Sequence, residues 1–305
     1  MKKEILVLGR SAVFVLGLLV SISAFAGDIV DDVREECGVY VGPSRVKHQY
    51  CIYTPIDQHG DQPRQVLFHF PGYPETVFAG RNLVGIYSFY FKASQRVTPF
   101  FVTLYSGKLN AFSDVVENGT QLSTLDSFVT EFAPWLKTKL PIVGNTFAFG
   151  YSLGGQNILQ LQSRFPGIFS GISISCPALF TASPFHGLIG AYRYARKTSA
   201  RVWPVYMYFV KIRGYFKNFK IWSRNNILSH LDRFDVGREK MPYIYLSANT
   251  QDELGFETGS EIFYRELRAK GYPIEFERRP GGHISFSFAN QINSLIQNTS
   301  LGMLE

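Results

Sequence analysis

The sequence has no internal repeat and no low-complexity tract, and with 46% hydrophobic residues it is neither a fibre nor a disordered tail. Cysteine is scarce, three residues in 305, which leaves room for one disulfide at most. The apolar N-terminal stretch lacks the length of a comfortable bilayer span: 17 uncharged residues separate Arg10 from Asp28, against the roughly 20 that a span needs. Acid is missing from one long segment, since nine basic residues occur from Arg193 to Arg224 without an Asp or Glu. What is present, including 27 glycines and 15% aromatics, fits one large, loop-rich globular domain.

The N-terminus reads as an address. Lys2, Lys3 and Arg10 are basic, an apolar run extends from Ser11 to Phe25, and Ala24-Phe25-Ala26 supplies the small-x-small pattern that a signal peptidase cuts. We expect a cleaved signal peptide over residues 1–26 and a mature domain over 27–305 with a formal charge of +5 from 28 basic and 23 acidic residues, secreted or periplasmic; an uncleaved anchor helix is the alternative. Disulfides persist in such compartments, so Cys37 and Cys51 are a candidate pair, with two reduced thiols as the alternative. Cys176, ahead of Pro177, reads as a small buried side chain.

From Lys47 onward, apolar runs bounded by turn residues alternate with helix-like stretches, the rhythm of βαβ units. Strands are predicted at 48–53, 66–70, 100–104, 146–149, 171–175, 243–247 and 274–278, most of them too apolar to face water on one side. Helices are predicted at 122–139, 153–164, 261–270 and 284–296. The expected architecture is α/β, a mostly parallel central sheet flanked by helices. The rhythm breaks from about 180 to 238, where bases and aromatics such as Tyr192, Arg193, Trp203, Tyr208 and Lys211 crowd together; this reads as a helical insertion over the C-terminal edge of the sheet, where lids sit.

The motif that carries chemistry is Gly150-Tyr151-Ser152-Leu153-Gly154-Gly155, a G-x-S-x-G between a predicted strand and a predicted helix. A nucleophile there sits on a sharp, strained turn, and the flanking glycines are required because side chains at 150 and 154 would collide with neighbouring strand and helix. The Leu153 N–H, at the start of the helix, is a candidate oxyanion donor. The second should come from the loop after the strand at 66–70, Pro71-Gly72-Tyr73-Pro74, where only Gly72 and Tyr73 carry an N–H; Tyr73 is the first choice.

In this chain order the base follows the acid, and only His283, in Pro280-Gly281-Gly282-His283, follows the last predicted strand; its neighbours read as a flexible loop. His48, His59 and His230 read as lone surface histidines, while His69 and His186 could line a cleft. The acid is expected after the next-to-last strand, at Asp252, with adjacent Glu253 as an alternative and Asp232 and Asp235 as weaker rivals that cap helices or face water.

Gly150 to Gly155, Gln251-Asp252-Glu253-Leu254, and the stretch from Phe263 to Tyr272 leading through Glu277 to Pro280-Gly281-Gly282-His283 together resemble the esterase D-like branch of the α/β-hydrolases, which also holds feruloyl and enterochelin esterases and mycolyltransferases. The resemblance spans most of the chain outside the insertion. It implies the α/β-hydrolase fold and acyl-ester hydrolysis or acyl transfer through Ser152, Asp252 and His283, with no metal and no organic cofactor. The His-Gly usual before the oxyanion loop is here Pro71-Gly72, and Ile284-Ser285-Phe286 replaces the aromatic-rich turn after the histidine.

The expectation is therefore an exported serine hydrolase cleaving carboxylic esters. An acyltransferase would use the same residues, a serine peptidase is compatible with them, and a non-catalytic binding protein on this scaffold would be expected to have lost one. The partner is a small-molecule or envelope-derived acyl ester; nucleic acid is not expected, and the sequence does not specify an oligomeric state. The basic, aromatic insertion would suit an anionic membrane surface or an acidic ester, a solvated basic face being the plain alternative.

Overall fold

A computed structural model describes residues 33–57, 62–74, 80–106, 109 and 111–303. The expected signal peptide at 1–26 and His59 lie outside the described residues. Strands form where apolar, β-branched and aromatic residues run between turns. They are β1 (Val33–Val41), β2 (Lys47–Pro55), β3 (Arg64–Phe70), β4 (Phe100–Ser106), β5 (Ile142–Tyr151), β6 (Gly171–Ser175), β7 (Tyr243–Asn249) and β8 (Ile274–Arg279). Seven of these contain the predicted runs. β1 has no predicted counterpart, because its residues are only half-buried or exposed and it carries no apolar run.

The eight strands make one sheet in the order β1-β2-β4-β3-β5-β6-β7-β8, in which β2 alone runs against the rest. Cys37 and Cys51 face each other across β1 and β2, with Cα atoms 4.0 Å apart, and are joined as a disulfide. The edge strand is thereby tied covalently to the body of the sheet.

Between β3 and β4 runs α1 (Arg81–Ala93). Between β4 and β5 lies α2, in three pieces: Thr124–Ser127, a π turn at Phe128–Phe132, and Ala133–Lys139. α3 (Leu153–Arg164) follows β5. Between β6 and β7 come α4 (Gly187–Ala195), α5 (Val202–Phe216) and α6 (Phe219–Asn225), with short 3-10 turns. α7 (Phe256–Ala269) follows β7 and α8 (Phe288–Asn298) closes the chain. Among the described residues no helix is long and apolar enough to cross a membrane.

Strand alternation decides which helix each side chain meets. Val66, Phe68, Phe70 and Ala148 pack on the face covered by α2, α3 and α7, against Leu125, Phe128, Ile158 and Phe263. Leu67, Phe101, Phe147 and Phe149 pack on the other face, against Leu83, Tyr87 and Phe91 of α1 and Ile292 and Leu295 of α8. Each such ring taken out of water contributes roughly 1.5–3 kcal/mol, so both faces anchor the strands that carry the site. A third cluster joins the inward faces of α4 and α5 (Ala191, Tyr194, Val205, Phe209, Ile212) to Leu153, Ala178, Phe180 and Phe256.

The chain crosses from one side of β3 to the other between β4 and β5, which makes the C-terminal ends of β3 and β5 a topological switch point. Crevices for ligands open at such points in parallel sheets.

Candidate active site

At the end of β5 the backbone turns sharply into α3, and the turn residue is Ser152, with φ 53° and ψ −124°. A non-glycine residue rarely adopts this conformation, and the surroundings hold it there. Ser152 N–H donates to the Ser175 carbonyl at 2.9 Å, and its own carbonyl accepts from Ala178 N–H at 3.0 Å. The glycines are required by the close approach of β3: a Cβ at 154 would lie 1.9 Å from the Phe70 carbonyl oxygen, and one at 150 would lie 2.5 Å from the same atom. The colliding partner is thus the end of β3. Buried Gln291 of α8 adds a donor at 2.9 Å to the Gly150 carbonyl.

His283 Nε2 lies 2.9 Å from Ser152 Oγ, and His283 Nδ1 lies 3.0 Å from Asp252 Oδ2. With Nδ1–H donating to the carboxylate, Nε2 is left as an acceptor for the serine proton. Asp252 is fully buried, and its other oxygen accepts from Leu254 N–H at 2.8 Å. A buried carboxylate with both oxygens engaged keeps the ring in one orientation.

The loop bearing His283 is clamped, contrary to the flexible loop its glycines suggested. Gln251 N–H donates to the Gly281 carbonyl at 3.1 Å, and Asn249 Nδ2 donates to the carbonyls of Gly282 at 2.7 Å and Ser285 at 3.0 Å. Glu253, the alternative acid, does not touch the imidazole: its carboxylate accepts the backbone N–H of His283 at 2.8 Å. Sequence reasoning missed Asn249, the last residue of β7, and this use of Glu253 in the loop that follows; no local signal marks either. Asp232 and Asp235 are exposed, and Asp235 pairs with Lys270.

The remaining histidines separate from the site. His48 is not a surface residue: Lys47 and Gln49 take the exposed side of β2, and His48 is fully buried between Ser106 and Ser127. His69 does not line the cleft; it is fully buried, stacked on Phe101 and Phe149, with burial lowering its pKa to about 3. His230 is half-buried and His186 exposed.

The loop after β3 passes against the serine, since a Cβ on Gly72 would lie 3.3 Å from Ser152 Cβ and 2.6 Å from the Tyr151 ring. Gly72 of that loop therefore lies against the serine, and Tyr73 is the next residue along. Leu153 is the first residue of α3, so its N–H has no partner within the helix.

The segment between β6 and β7 touches both sides of this arrangement. Lys211 Nζ of α5 sits 4.6 Å above the Tyr73 ring, and 3.3 Å from its hydroxyl. Ser199 Oγ donates to the Asp252 carbonyl at 3.0 Å, Arg201 N–H to the Glu253 carbonyl at 2.8 Å, and the Tyr194 hydroxyl to the Gly255 carbonyl at 2.8 Å. Phe256 meets the His283 ring edge-on at 5.2 Å. Ser152 is left 4% exposed.

No family model and no curated protein matches the chain in sequence. Solved structures match its architecture. A ferulic acid esterase superposes with TM-score 0.57 at 16% identity, covering 87% of this chain and 96% of its own. An S-formylglutathione hydrolase from Agrobacterium tumefaciens gives 0.56 at 15% identity, covering 88% and 93%. A fungal esterase from Rhizomucor miehei gives 0.61 at 17% identity, covering 91% and 88%. The chain has the α/β-hydrolase fold.

Proposed function

We propose that this chain is a serine hydrolase that cleaves carboxylic esters, with Ser152 as nucleophile, His283 as base and Asp252 as the group that orients and stabilises the imidazolium. The observation that carries the reading is the relay itself, 2.9 Å from Ser152 Oγ to His283 Nε2 and 3.0 Å from His283 Nδ1 to Asp252 Oδ2, built on a strained elbow. Neighbours of the same fold that are named as esterases support the reaction class.

As Oγ attacks the ester carbonyl, its proton passes to Nε2. The carbonyl oxygen becomes an oxyanion, for which the N–H groups of Leu153 and Tyr73 are the donors. Collapse breaks the C–O bond, and the leaving alcohol takes the proton from Nε2. Water repeats the sequence, giving its proton to His283 and freeing the acid.

The segment over the cleft acts as a cap that shapes the acyl pocket. Its support is the pair of contacts at either side, Lys211 on Tyr73 and Ser199 on the Asp252 loop. The Tyr208 hydroxyl of this segment is buried, its ring beside Phe180 and Phe256, and has no hydrogen-bond partner among the described residues. Burial raises its pKa, which keeps the proton on it. The Cys37–Cys51 disulfide supports an exported location, secreted or periplasmic, because such bonds are stable in oxidising compartments.

The test is labelling by a fluorophosphonate probe and turnover of nitrophenyl esters of short and long acyl chains, with Ser152→Ala as control. Labelling and turnover that vanish in the variant support the proposal. A folded wild-type protein that neither labels nor turns over overturns it. An added acceptor alcohol that diverts the acyl group would identify an acyltransferase.

A further inference from the structure

The helices α4 and α5 bury one face each and leave the opposite face apolar. On α5, Val205, Phe209, Ile212 and Phe216 point into the third core cluster. A half-turn round the helix, at the i, i+4, i+7 positions, Trp203, Met207 and Val210 point outward and are exposed, Trp203 by 65%. α4 repeats the pattern: Ala191 and Tyr194 are buried, whereas Leu188, Ile189 and Tyr192 are exposed, Ile189 by 66%. The two helices pack on each other and on one cluster, so their outward stripes share one side of the molecule. A water-facing helix normally presents polar residues there, and an amphipathic surface helix has one apolar face, not two.

Charge identifies what covers this face. No Asp or Glu occurs between Glu131 and Asp232, while Arg193, Arg196, Lys197, Arg201, Lys217 and Lys220 flank the stripes along the chain and are exposed. Arg196 already lies over the Tyr192 ring, 6.0 Å from its centroid. A second copy of the same basic face would be repelled, and an acidic protein would match the charge but leave the apolar centre without a partner of its kind. Trp and Tyr beside aliphatic side chains, flanked by Lys and Arg, fit the headgroup boundary of a bilayer, where rings and aliphatic groups sink in and the bases reach anionic phosphates.

We propose that the outward face of α4 and α5 docks this protein on a bilayer surface bearing anionic lipids, holding the cap against the membrane. The inference stands on this face and not on the chemistry of the cleft, so it is testable in the Ser152→Ala protein as well as in the wild type.

The experiment places an environment-sensitive fluorophore on Met207→Cys in the full chain; Cys176 is buried and the other cysteines are bonded to each other. A second label on Phe89→Cys, exposed on α1, serves as control. With vesicles of phosphatidylcholine and phosphatidylglycerol, the label at 207 should shift to the blue and be quenched by brominated lipid tails, while the label at 89 stays in water. Each of Lys197→Gln, Arg201→Gln, Lys217→Gln and Lys220→Gln should weaken binding about fivefold. A label at 207 that remains in water overturns the proposal, even if the N-terminal segment tethers the chain. So does an equal response to pure phosphatidylcholine, or a shift that appears without vesicles and grows with protein concentration.

Discussion

Among the described residues two serine–histidine–carboxylate groups can be compared, and only one has the geometry that the proposed nucleophilic chemistry needs. In the first, Ser152, His283 and Asp252 run in line with the carboxylate on the imidazole. In the second, His48 Nε2 is 3.0 Å from Ser127 Oγ and His48 Nδ1 is 2.6 Å from Ser106 Oγ, while Ser127 Oγ donates to Glu131 at 2.8 Å. There the serine hydroxyl donates to the carboxylate, so the imidazole must donate to that serine oxygen and cannot act as its base. Ser127 also sits on ordinary helical backbone, φ −62°, against the positive φ of Ser152. The comparison teaches that distance between serine and histidine does not define a nucleophile. The place of the carboxylate, the strained turn and the nearby backbone N–H groups do.

The largest expected effect separates the two serines outright. Ser152→Ala should lower kcat by about 10⁵-fold or more, since the remaining members of a triad cannot act alone. Ser127→Ala should leave turnover intact and show its cost in stability, of order 1–3 kcal/mol for a disrupted buried polar network. Peptide mapping of the fluorophosphonate adduct checks the same contrast: the label belongs on the peptide holding Ser152. A folded Ser127→Ala protein without labelling would show that the second serine is needed for reactivity.

Next comes the carboxylate. Asp252→Asn keeps the shape but allows the wrong tautomer, and kcat should fall by about 10⁴-fold. Glu131→Gln, its counterpart in the second group, should leave kcat unchanged. Steady-state kinetics on both variants, with circular dichroism to confirm folding, decides the matter.

Glu253 has no equivalent in the second group. Its carboxylate holds the backbone of His283 and not the ring. Glu253→Ala should reduce kcat about 10- to 100-fold with little change in KM, as expected when a base is displaced by a fraction of an ångström. Glu253→Gln, which retains an acceptor oxygen, should restore most of the loss. A purely structural role would lower the melting temperature without that rescue.

Much of this was legible in the sequence because chain order constrains it. The elbow announces itself through Gly150, Ser152 and Gly154, and the only histidine after the last strand is the one that meets the serine. The strand-free stretch from 180 to 238 was also visible, since its bases and aromatics interrupt every period. What stayed hidden depends on partners distant in sequence. The clamp on His283 needs Asn249 at the end of β7, Glu253 in the loop after it and Gly282 in the loop after β8, and nothing local marks their meeting. β1 escaped notice because both its faces are partly wet, leaving no apolar run. For His48 the neighbours hold the answer: in a strand, exposed Lys47 and Gln49 oblige the residue between them to point inward.

A last expectation concerns that buried histidine. Burial lowers the His48 pKa to about 4 from the ordinary imidazole value of 6.5, with Glu131 opposing part of the shift. The folded protein therefore keeps His48 neutral at a pH where the unfolded chain binds a proton. Its contribution is fully present above about pH 6.5 and is lost progressively as pH falls toward 4, up to roughly 3 kcal/mol. His69, lowered to about 3 by burial, adds a second proton to the same window. Urea unfolding between these limits should show stability falling with a slope approaching two protons in wild type and one in His48→Gln. Turnover by the first group, measured where both proteins remain folded, should be the same in each; an equal pH slope in the two proteins would mean that His48 is already charged in the fold and that the second group is not the closed network its geometry describes.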